Sequence, residues 1–268
     1  MSLLQALVLG LVQGLTEFLP ISSSGHLVLV PFLFGWKEPT LAFDVAVHIG
    51  TLSAVAYVYR ARLATLARTA TSWKNADEKD RSLLTFVVIA TIPAAVIGAV
   101  FNNAIESVFL SPVRVSFLLG LTGYFLMSSE TIADHHQEPS RDAVDRGDAI
   151  TLGIAQAVSI LPGISRSGST IGAGLRRGLS REAAARFSFL MSIPIIAGAT
   201  IVKIPDMLSE GASGNGLAFV VGVLASAISG FAAIKWFLGL LGRRSLRPFG
   251  VYCFLMMVVG LVTALARG

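Results

Sequence analysis

The sequence has few charged residues and a single cysteine, and both scarcities exclude classes of protein. Asp, Glu, Lys and Arg account for 14% of the 268 residues, whereas an ordinary soluble domain carries about 25%. A chain this poor in charge would aggregate in water, so the composition excludes a soluble enzyme. The one cysteine, Cys253, excludes a disulfide within the chain, and its apolar neighbours predict a packing residue.

Two further features are missing from the sequence. The apolar run Leu3–Leu11 has no basic residue before it and no small-residue cleavage site after it, so it does not resemble a removable signal peptide. The chain has a net charge of +5, but no nucleic-acid-binding motif accompanies the basic residues. No nucleic-acid partner is therefore predicted.

Hydrophobic residues are abundant instead. They make up 54% of the chain, and the mean hydropathy is +0.73, which indicates an all-α integral membrane protein. The apolar core of a bilayer is about 30 Å thick and needs about 20 residues of helix. Six segments have that length and predict transmembrane helices: 41–59, 83–101, 113–131, 185–203, 217–240 and 248–266.

Two more apolar stretches, 3–35 and 149–178, are interrupted halfway. The first is broken at Pro20 and the run SSSGH, and the second at the run LPGISRSGST. Each half is too short to cross a bilayer, and backbone broken at membrane depth occurs only where protein or a watery cavity surrounds it. Both stretches therefore predict re-entrant helix–loop–helix hairpins.

Lysine and arginine are unevenly divided among the connecting segments. Loops 102–112 and 204–216 contain neither residue. Because cytoplasmic loops carry the excess of Lys and Arg, four basic segments are predicted to be cytoplasmic: 60–82, 132–148, 176–186 and 241–247. With this assignment the first hairpin enters from outside the cell, the second enters from the cytoplasm, and both termini lie outside.

The two interrupted motifs are copies of each other. At an offset of 143 residues, QGLTEFLPISSSGH (13–26) aligns without gaps with QAVSILPGISRSGS (156–169), so that Gln13 matches Gln156 and Gly25 matches Gly168. Each copy is followed by three predicted crossings, an odd number, so the copies have opposite orientations. This predicts an inverted-topology repeat, as in many transporters, with halves 1–131 and 149–268 joined by a cytoplasmic linker, 132–148.

Ionisable side chains inside membrane segments are costly and are candidates for function. Gln13 and Glu17 are four residues apart and share one helix face. A carboxylate and an amide oxygen suit a hard divalent cation such as Mg²⁺ or Ca²⁺, which makes both residues candidate metal ligands. The alternative is a hydrogen-bonded or protonated glutamate that only holds the hairpin together. Asp44 and His48, also four apart, either support the site or form an outward-facing polar stripe.

The run that follows Glu17 predicts an anion-binding turn. Ser22, Ser23, Ser24 and Gly25 can direct several N–H groups toward one anion at the start of a helix. His26 has the chemistry of a nucleophile or a general acid–base near neutral pH, with a structural role as the alternative.

The second motif holds the one arginine placed in the middle of a broken hairpin, Arg166. Its planar guanidinium fits phosphate oxygens bidentately. The alternative is a structural salt bridge to Glu17 across the repeat axis. Four neighbours of the arginine are further candidate substrate-binding residues: Ser165, Ser167, Gly168 and Thr170.

These motifs resemble the signatures of the bacterial undecaprenyl-pyrophosphate phosphatase family, also called the bacitracin-resistance family. QGLTEFLPISSSGHL resembles its first signature, a Glu or Gln four residues before a Glu, then a serine-rich turn ending in Gly-His. PGISRSGST (162–170) resembles the second, and the resemblance covers essentially the whole chain. It implies hydrolysis of undecaprenyl pyrophosphate to the monophosphate lipid carrier used for peptidoglycan and other envelope polymers, and with it bacitracin resistance.

The resemblance also implies roles for single residues. Gln13 and Glu17 would serve metal-assisted catalysis with Mg²⁺ or Ca²⁺, His26 and Ser23 would serve catalysis, and the other first-motif serines would contact phosphate. Arg166 would hold the pyrophosphate. Gln13 cannot be charged, so Glu17 is the stronger candidate ligand. The nucleophile stays open among His26, a serine and an activated water.

A transporter or lipid flippase is the competing class, because an inverted repeat alone favours transport. Glu17 and His26 beside an anion-binding arginine favour hydrolysis. The expected partners are a polyprenyl pyrophosphate and the bilayer of the bacterial inner membrane, with the site open to the outer side. The sequence does not fix the oligomeric state, and a homodimer is one candidate.

Overall fold

The computed structural model describes residues 1–100, 111–137, 140–210, 216–241 and 244–267, with the backbone alone for Leu41 and for residues 206–210. Arg243 and most of the predicted outer loops therefore lie outside the described residues. Within these ranges the regular structure is helical, with one isolated bridge between Arg141 and Leu179. The α-helices are α1 Leu3–Glu17, α2 Ser23–Phe34, α3 Leu41–Val58, α4 Arg60–Thr71, α5 Glu78–Val100, α6 Pro112–Asp134, α7 Arg146–Val158, α8 Arg166–Arg176, α9 Arg181–Glu210, α10 Gly216–Leu241 and α11 Arg247–Arg267.

The predicted all-α membrane fold is confirmed. Among the described residues, five helices are long and apolar enough to cross a bilayer: α5, α6, α9, α10 and α11. The sixth predicted crossing is α3, which together with α4 forms a sixth candidate span bent by 81° where the two helices join. The apolar helices expose many large hydrophobic side chains, such as Ile92, Leu121 and Leu255. These faces suit lipid, and the chain is a multi-pass membrane protein.

The prediction of a loop over 60–82 was wrong for its first half. Residues Arg60–Thr71 form α4, and a single 3-10 turn follows at Trp73–Asn75. The segment is rich in Ala, Leu and Arg, which are strong helix formers. Leu66 is buried against Val87 and Ala90 of α5, and this tertiary contact stabilises a helix that basic residues alone do not indicate.

Both interrupted stretches are pairs of short helices, as predicted. The longest of the four, α1, has 15 residues and so extends for about 22 Å, less than the bilayer core of about 30 Å. The breaks are shorter than the polar motifs suggested. Ser23 is already the first residue of α2 and Arg166 the first residue of α8, so the last part of each interrupting run lies in the first turns of a helix.

Helices of the two sequence halves pack against each other reciprocally. The first hairpin helix, α1, packs on α10, and its counterpart α7 packs on α5; α3 also packs on α9, and α6 on α11. The contact between α1 and α10 is close because small residues line it: a Cβ added to Gly14 would lie 2.5 Å from the Ser226 carbonyl oxygen. Small residues let helix backbones approach in membranes. This packing brings the two helix breaks together.

Basic residues of two predicted cytoplasmic segments, 132–148 and 176–186, meet at one end of the bundle. Arg177 Nε lies 3.0 Å from Asp148 Oδ1, and Arg141 lies 3.2 Å from the same carboxylate. Arg181 donates to the fully buried Glu130, with Nε 3.0 Å from Oε1. These ion pairs tie α6, α7, α8 and α9 together. The cytoplasmic location of this end remains a prediction.

Candidate functional site

The two helix breaks contact each other directly. Ser167 Oγ of the second motif donates to the Leu19 carbonyl oxygen of the first break at 2.8 Å. A Cβ added to Gly25 would lie 3.3 Å from Gly163 Cα. Thr122 of α6 supports the second break, because its hydroxyl donates to the Gly163 carbonyl at 3.0 Å. The two motifs therefore form one site rather than two.

The start of α2 and the start of α8 are capped in the same way. Ser22 Oγ accepts from the Gly25 N–H at 3.2 Å, and Ser165 Oγ accepts from the Gly168 N–H at 3.0 Å. Each capping serine also lies beside the serine two residues on, at 3.3 Å in the first motif and 3.2 Å in the second. Two helix N-termini of this kind, facing one site, favour an anion.

Glu17 is at the centre of the site and is 7% exposed. One oxygen, Oε2, accepts from Ser23 Oγ at 2.6 Å and from Gln13 Nε2 at 3.0 Å. The other, Oε1, lies 2.8 Å from Arg166 Nη2. His48 Nε2 is 3.6 Å from Oε2. A buried carboxylate needs this many donors, because burial without partners is strongly unfavourable.

Gln13 is fully buried behind Glu17 and orients its carboxylate through the 3.0 Å hydrogen bond. The amide oxygen, Gln13 Oε1, is buried and has no hydrogen-bond partner among the described residues. Gln13 is not among the described residues that line the cavity at this site. Its predicted role as a direct metal ligand stays a prediction.

Arg166 makes the salt bridge to Glu17 that the sequence offered as an alternative to phosphate binding. The arginine side chain is 13% exposed and the glutamate side chain 6%. Its Nη1 also donates to the Ser188 carbonyl at 3.4 Å. The guanidinium carries five N–H donors, and the hydrogen bonds to Glu17 and Ser188 use two of them.

A cavity of about 280 Å³ opens in front of this ion pair. Its lining includes both capping serines, Ser22 and Ser165, and three apolar side chains, Ile160, Ile195 and Ile196. Of the predicted site residues, the structure brings six to this cavity: Glu17, Ser22, Ser23, Ser24, Ser165 and Arg166. A charged head group and the first part of an apolar tail both find matching surfaces there.

His26 points elsewhere. Its Nδ1 lies 2.7 Å from the Ser22 carbonyl oxygen, and its Nε2 lies 2.7 Å from the hydroxyl of Tyr252 on α11, over which its ring stacks. The residue is 3% exposed and is not among the described cavity-lining residues. Both ring nitrogens are engaged, so in this conformation His26 supports the serine turn. Its chemical role stays a prediction.

Four other predicted substrate-binding residues are buried beneath the cavity surface. Thr170 Oγ1 lies at hydrogen-bond distance, 2.6 Å, from the Ser188 hydroxyl, and Ser167 Oγ donates to the Leu19 carbonyl oxygen as described above. Gly25 and Gly168 supply the N–H groups that the capping serines accept. These residues shape the two turns, and a direct contact with substrate remains a prediction for each.

The cavity also contains Asp44 and His48, whose role the sequence left open, and Gln156 and Ser159, which the sequence did not assign to the site. His48 Nδ1 lies 2.7 Å from the Asp44 carbonyl oxygen, which turns Nε2 toward Glu17. The four-residue spacing of Asp44 and His48 was a usable signal, and both support the site rather than face outward. Gln156 could have been found from its alignment with Gln13.

A buried Glu–Arg pair in a serine-lined cavity, where broken helices of a multi-pass bundle meet, defines an integral membrane protein with an anion-binding site. Comparison with known proteins is in keeping with this class. The chain belongs to the bacitracin resistance protein BacA family, which it matches over residues 6–259. The family predicted from the two motifs is therefore confirmed.

Similar proteins cover nearly the whole chain. An undecaprenyl-diphosphatase of Moorella thermoacetica is 44% identical over 257 residues, which is 96% of this chain and 95% of that protein. An undecaprenyl-diphosphatase of Rubrobacter xylanophilus is 44% identical over 274 residues, covering 99% and 98% of the two chains. One of Pelotomaculum thermopropionicum is 41% identical over 267 residues, covering 100% and 98%.

Proposed function

We propose that this protein hydrolyses undecaprenyl pyrophosphate to undecaprenyl phosphate and inorganic phosphate. The observation that carries the proposal is the Glu17–Arg166 pair at 2.8 Å in a cavity between two capped helix N-termini. Family membership and the names of the similar proteins support the same reaction. The product is the lipid carrier for peptidoglycan and other envelope polymers, and its regeneration would confer resistance to bacitracin.

Arg166 and the two helix starts bind and neutralise the phosphate oxygens in this proposal. Catalysis of phosphoryl transfer is mostly positioning and charge stabilisation. A phosphate group that enters the cavity competes with Glu17 for the guanidinium of Arg166. Some of the Arg166 N–H groups then donate to the substrate instead of to the carboxylate. The apolar lining residues Ile160, Ile195 and Ile196 accommodate the first prenyl units of the tail.

Glu17 and Ser23 form the reacting pair. The Ser23 hydroxyl already donates to Glu17 Oε2 at 2.6 Å, which places the carboxylate to accept a proton as the nucleophile attacks the terminal phosphorus. The nucleophile is Ser23 itself or a water in its place, with undecaprenyl phosphate as the leaving group. If Ser23 attacks, a water then hydrolyses the phosphoserine, which releases inorganic phosphate and restores the hydroxyl. His26, turned toward Tyr252, positions the turn that carries Ser23.

A divalent cation, Mg²⁺ or Ca²⁺, is part of the proposal, with Glu17 and Gln13 as ligands. The donor set fits a hard cation: Gln13 Oε1 is buried without a described partner, and one lone-pair position of Glu17 Oε1 is unused beside Arg166. When bound, the cation would neutralise charge on the phosphate oxygens.

The two halves, 1–131 and 149–268, are proposed to be inverted copies joined by the linker 132–148. The reciprocal packing of α1 on α10 and α7 on α5 and the matched serine caps support this division. With the basic end of the bundle in the cytoplasm, the protein lies in the inner membrane and its site opens to the outer side. The homodimer stays a prediction from the sequence.

Phosphate release by the purified protein in detergent tests the proposed function. Wild-type protein is expected to release one phosphate per undecaprenyl pyrophosphate, and EDTA is expected to abolish the release. Glu17→Ala and Arg166→Ala should each be inactive while eluting as folded protein on gel filtration. Failure to release phosphate from any polyprenyl pyrophosphate would instead favour the competing transporter class.

A further inference from the structure

Three buried oxygen atoms of cavity-lining residues have no hydrogen-bond partner among the described residues: Asp44 Oδ1, Gln156 Oε1 and Thr200 Oγ1. The Thr200 hydroxyl can donate as well as accept, whereas the carboxylate oxygen and the amide oxygen only accept. Gln156 is 1% exposed, and its amide nitrogen donates to the Ala90 carbonyl oxygen at 3.3 Å. That bond fixes which end of the amide is the oxygen. The Asp44 and Gln156 oxygens are acceptors, and buried acceptors are normally satisfied, so this pair points to an electropositive ligand.

Gln156 repeats the bonding pattern of its counterpart in the first motif. Gln13 donates its amide nitrogen to Glu17 and keeps Oε1 without a described partner, and Gln156 does the same with Ala90 as the acceptor. Of the two, only Gln156 is among the described residues that line the cavity. An amide oxygen is therefore presented to the site from the second half of the chain, which the predicted site did not include.

Glu17 has less acceptor capacity left than Asp44. Its two oxygens already accept from Gln13, Ser23 and Arg166, which uses three of about four lone-pair positions of a carboxylate. Asp44 keeps one whole oxygen without a described partner. The Asp44 carboxylate on α3 is therefore a second possible ligand for a cation in the cavity. Unlike Glu17, it can bind the cation without losing a salt bridge to an arginine.

A pyrophosphate group cannot satisfy these two oxygens, because it brings acceptors of its own. A cation shared between the protein and the phosphates can. Mg²⁺ is usually held by one or two carboxylates together with substrate phosphates, rather than by an all-protein cage. In keeping with this, no three His, Cys, Asp or Glu side chains form a preformed metal cluster within the described ranges.

We infer that Asp44 and Gln156 bind the divalent cation that accompanies the pyrophosphate, in addition to the ligands of the first motif. This inference rests on the proposed function and assigns two further residues to it. Asp44 belongs to the first half of the chain and Gln156 to the second. The cation thus joins the halves, as the Glu17–Arg166 pair also does.

Manganese binding to the full-length protein in detergent tests this assignment without turnover. Free Mn²⁺ is measured by its EPR signal for wild type, Asp44→Asn and Gln156→Met, with Asp77→Asn as the matched control. Asp77 is exposed, lies between α4 and α5, and is not among the described residues that line the cavity. Asp44→Asn and Gln156→Met should weaken binding by at least about tenfold, and Asp77→Asn should bind as wild type does. Asp44→Glu, which keeps a carboxylate, should recover part of the affinity and shows that loss is not misfolding.

A second readout separates this inference from the proposed function. The Mg²⁺ concentration that gives half-maximal phosphate release should rise by a similar factor in Asp44→Asn. Wild-type manganese affinity and wild-type magnesium activation in both variants would overturn the inference and leave the phosphatase standing. Loss of manganese binding in Asp44→Asn, with no phosphate release from any polyprenyl pyrophosphate by wild type, would support the cation site and overturn the proposed function.

Discussion

Arg166 Nη2 lies 2.8 Å from Glu17 Oε1, so the charged residues of the two helix breaks form one ion pair although 149 positions separate them in sequence. Both side chains are largely buried. Removing one partner of a buried pair leaves an uncompensated charge and is strongly unfavourable. Each motif therefore holds the other in place, and a phosphate that enters the cavity meets an arginine already oriented by Glu17.

Replacement of Arg166 by lysine is predicted to impair hydrolysis although the charge is kept. Lysine lacks the planar fork that contacts a carboxylate and a phosphate together. We expect kcat/KM for undecaprenyl pyrophosphate to fall about 100- to 1,000-fold, the usual effect of losing one donor to transition-state charge. Arg186→Lys is the control, because Arg186 pairs with Glu182 at an exposed position. Equal effects of the two lysine variants would contradict the role of Arg166.

Ser23 and Ser24 are predicted to differ although both line the cavity. Ser23 Oγ donates to Glu17 at 2.6 Å, whereas Ser24 Oγ lies 3.3 Å from the hydroxyl of Ser22. Ser23→Ala should lower kcat by about 100-fold or more, because proton transfer to Glu17 is lost. Ser24→Ala should change kcat far less. Initial rates at saturating substrate measure both, and equal losses would show that the bond to Glu17 has no special role.

Gly163 in the second break should not tolerate a side chain. Its φ is +95°, and an added Cβ would lie 2.5 Å from the Val115 carbonyl oxygen. Gly163→Ala therefore combines backbone strain of about 1–3 kcal/mol with a clash against main chain. Gly178 has a φ of +81° but nothing within 4 Å, so Gly178→Ala shows the strain alone. Thermal unfolding in detergent should give the largest loss of Tm for Gly163→Ala; equal losses would contradict the close contact.

Glu130 is predicted to stabilise the basic end of the bundle without contributing to catalysis. It is fully buried and accepts from Arg181 and from the Leu246 N–H at 2.8 Å. Glu130→Ala should lower the free energy of unfolding by about 3 kcal/mol, since one partner of a buried pair is lost. Glu182→Ala is the control. Glu182 pairs with Arg186 at an exposed position, and exposed ion pairs contribute about 0–1 kcal/mol. Phosphate release per folded molecule should be unchanged by Glu130→Ala; a loss of turnover in folded protein would argue against a purely structural role.

The helices could be predicted from sequence because bilayer thickness imposes a minimum apolar length. The predicted span 248–266 corresponds to α11, Arg247–Arg267, within a residue at each end. Helix α4 was missed because its stability depends on Leu66 packing on α5. That contact is tertiary and leaves no apolar run in the sequence.

The centre of the site could likewise be predicted, and its periphery could not. Glu17 and Arg166 are recognisable because a charge inside a broken apolar segment needs a partner. The direction of His26 depends on Tyr252, which lies 226 positions away. The spacing of Asp44 and the alignment of Gln156 with Gln13 make these residues candidates, but their exposure to the cavity depends on how α3 and α7 pack against the other half of the chain. No local pattern encodes such packing.

A double-mutant cycle on Glu17 and Arg166 tests most directly whether the two helix breaks form a single hydrolytic site. Phosphate release from undecaprenyl pyrophosphate is measured for wild type, Glu17→Gln, Arg166→Lys and the double variant. Residues that act as a unit are non-additive, so the double variant should be about as slow as the slower single variant. Losses that multiply would contradict a shared site, and so would single variants that keep wild-type rates.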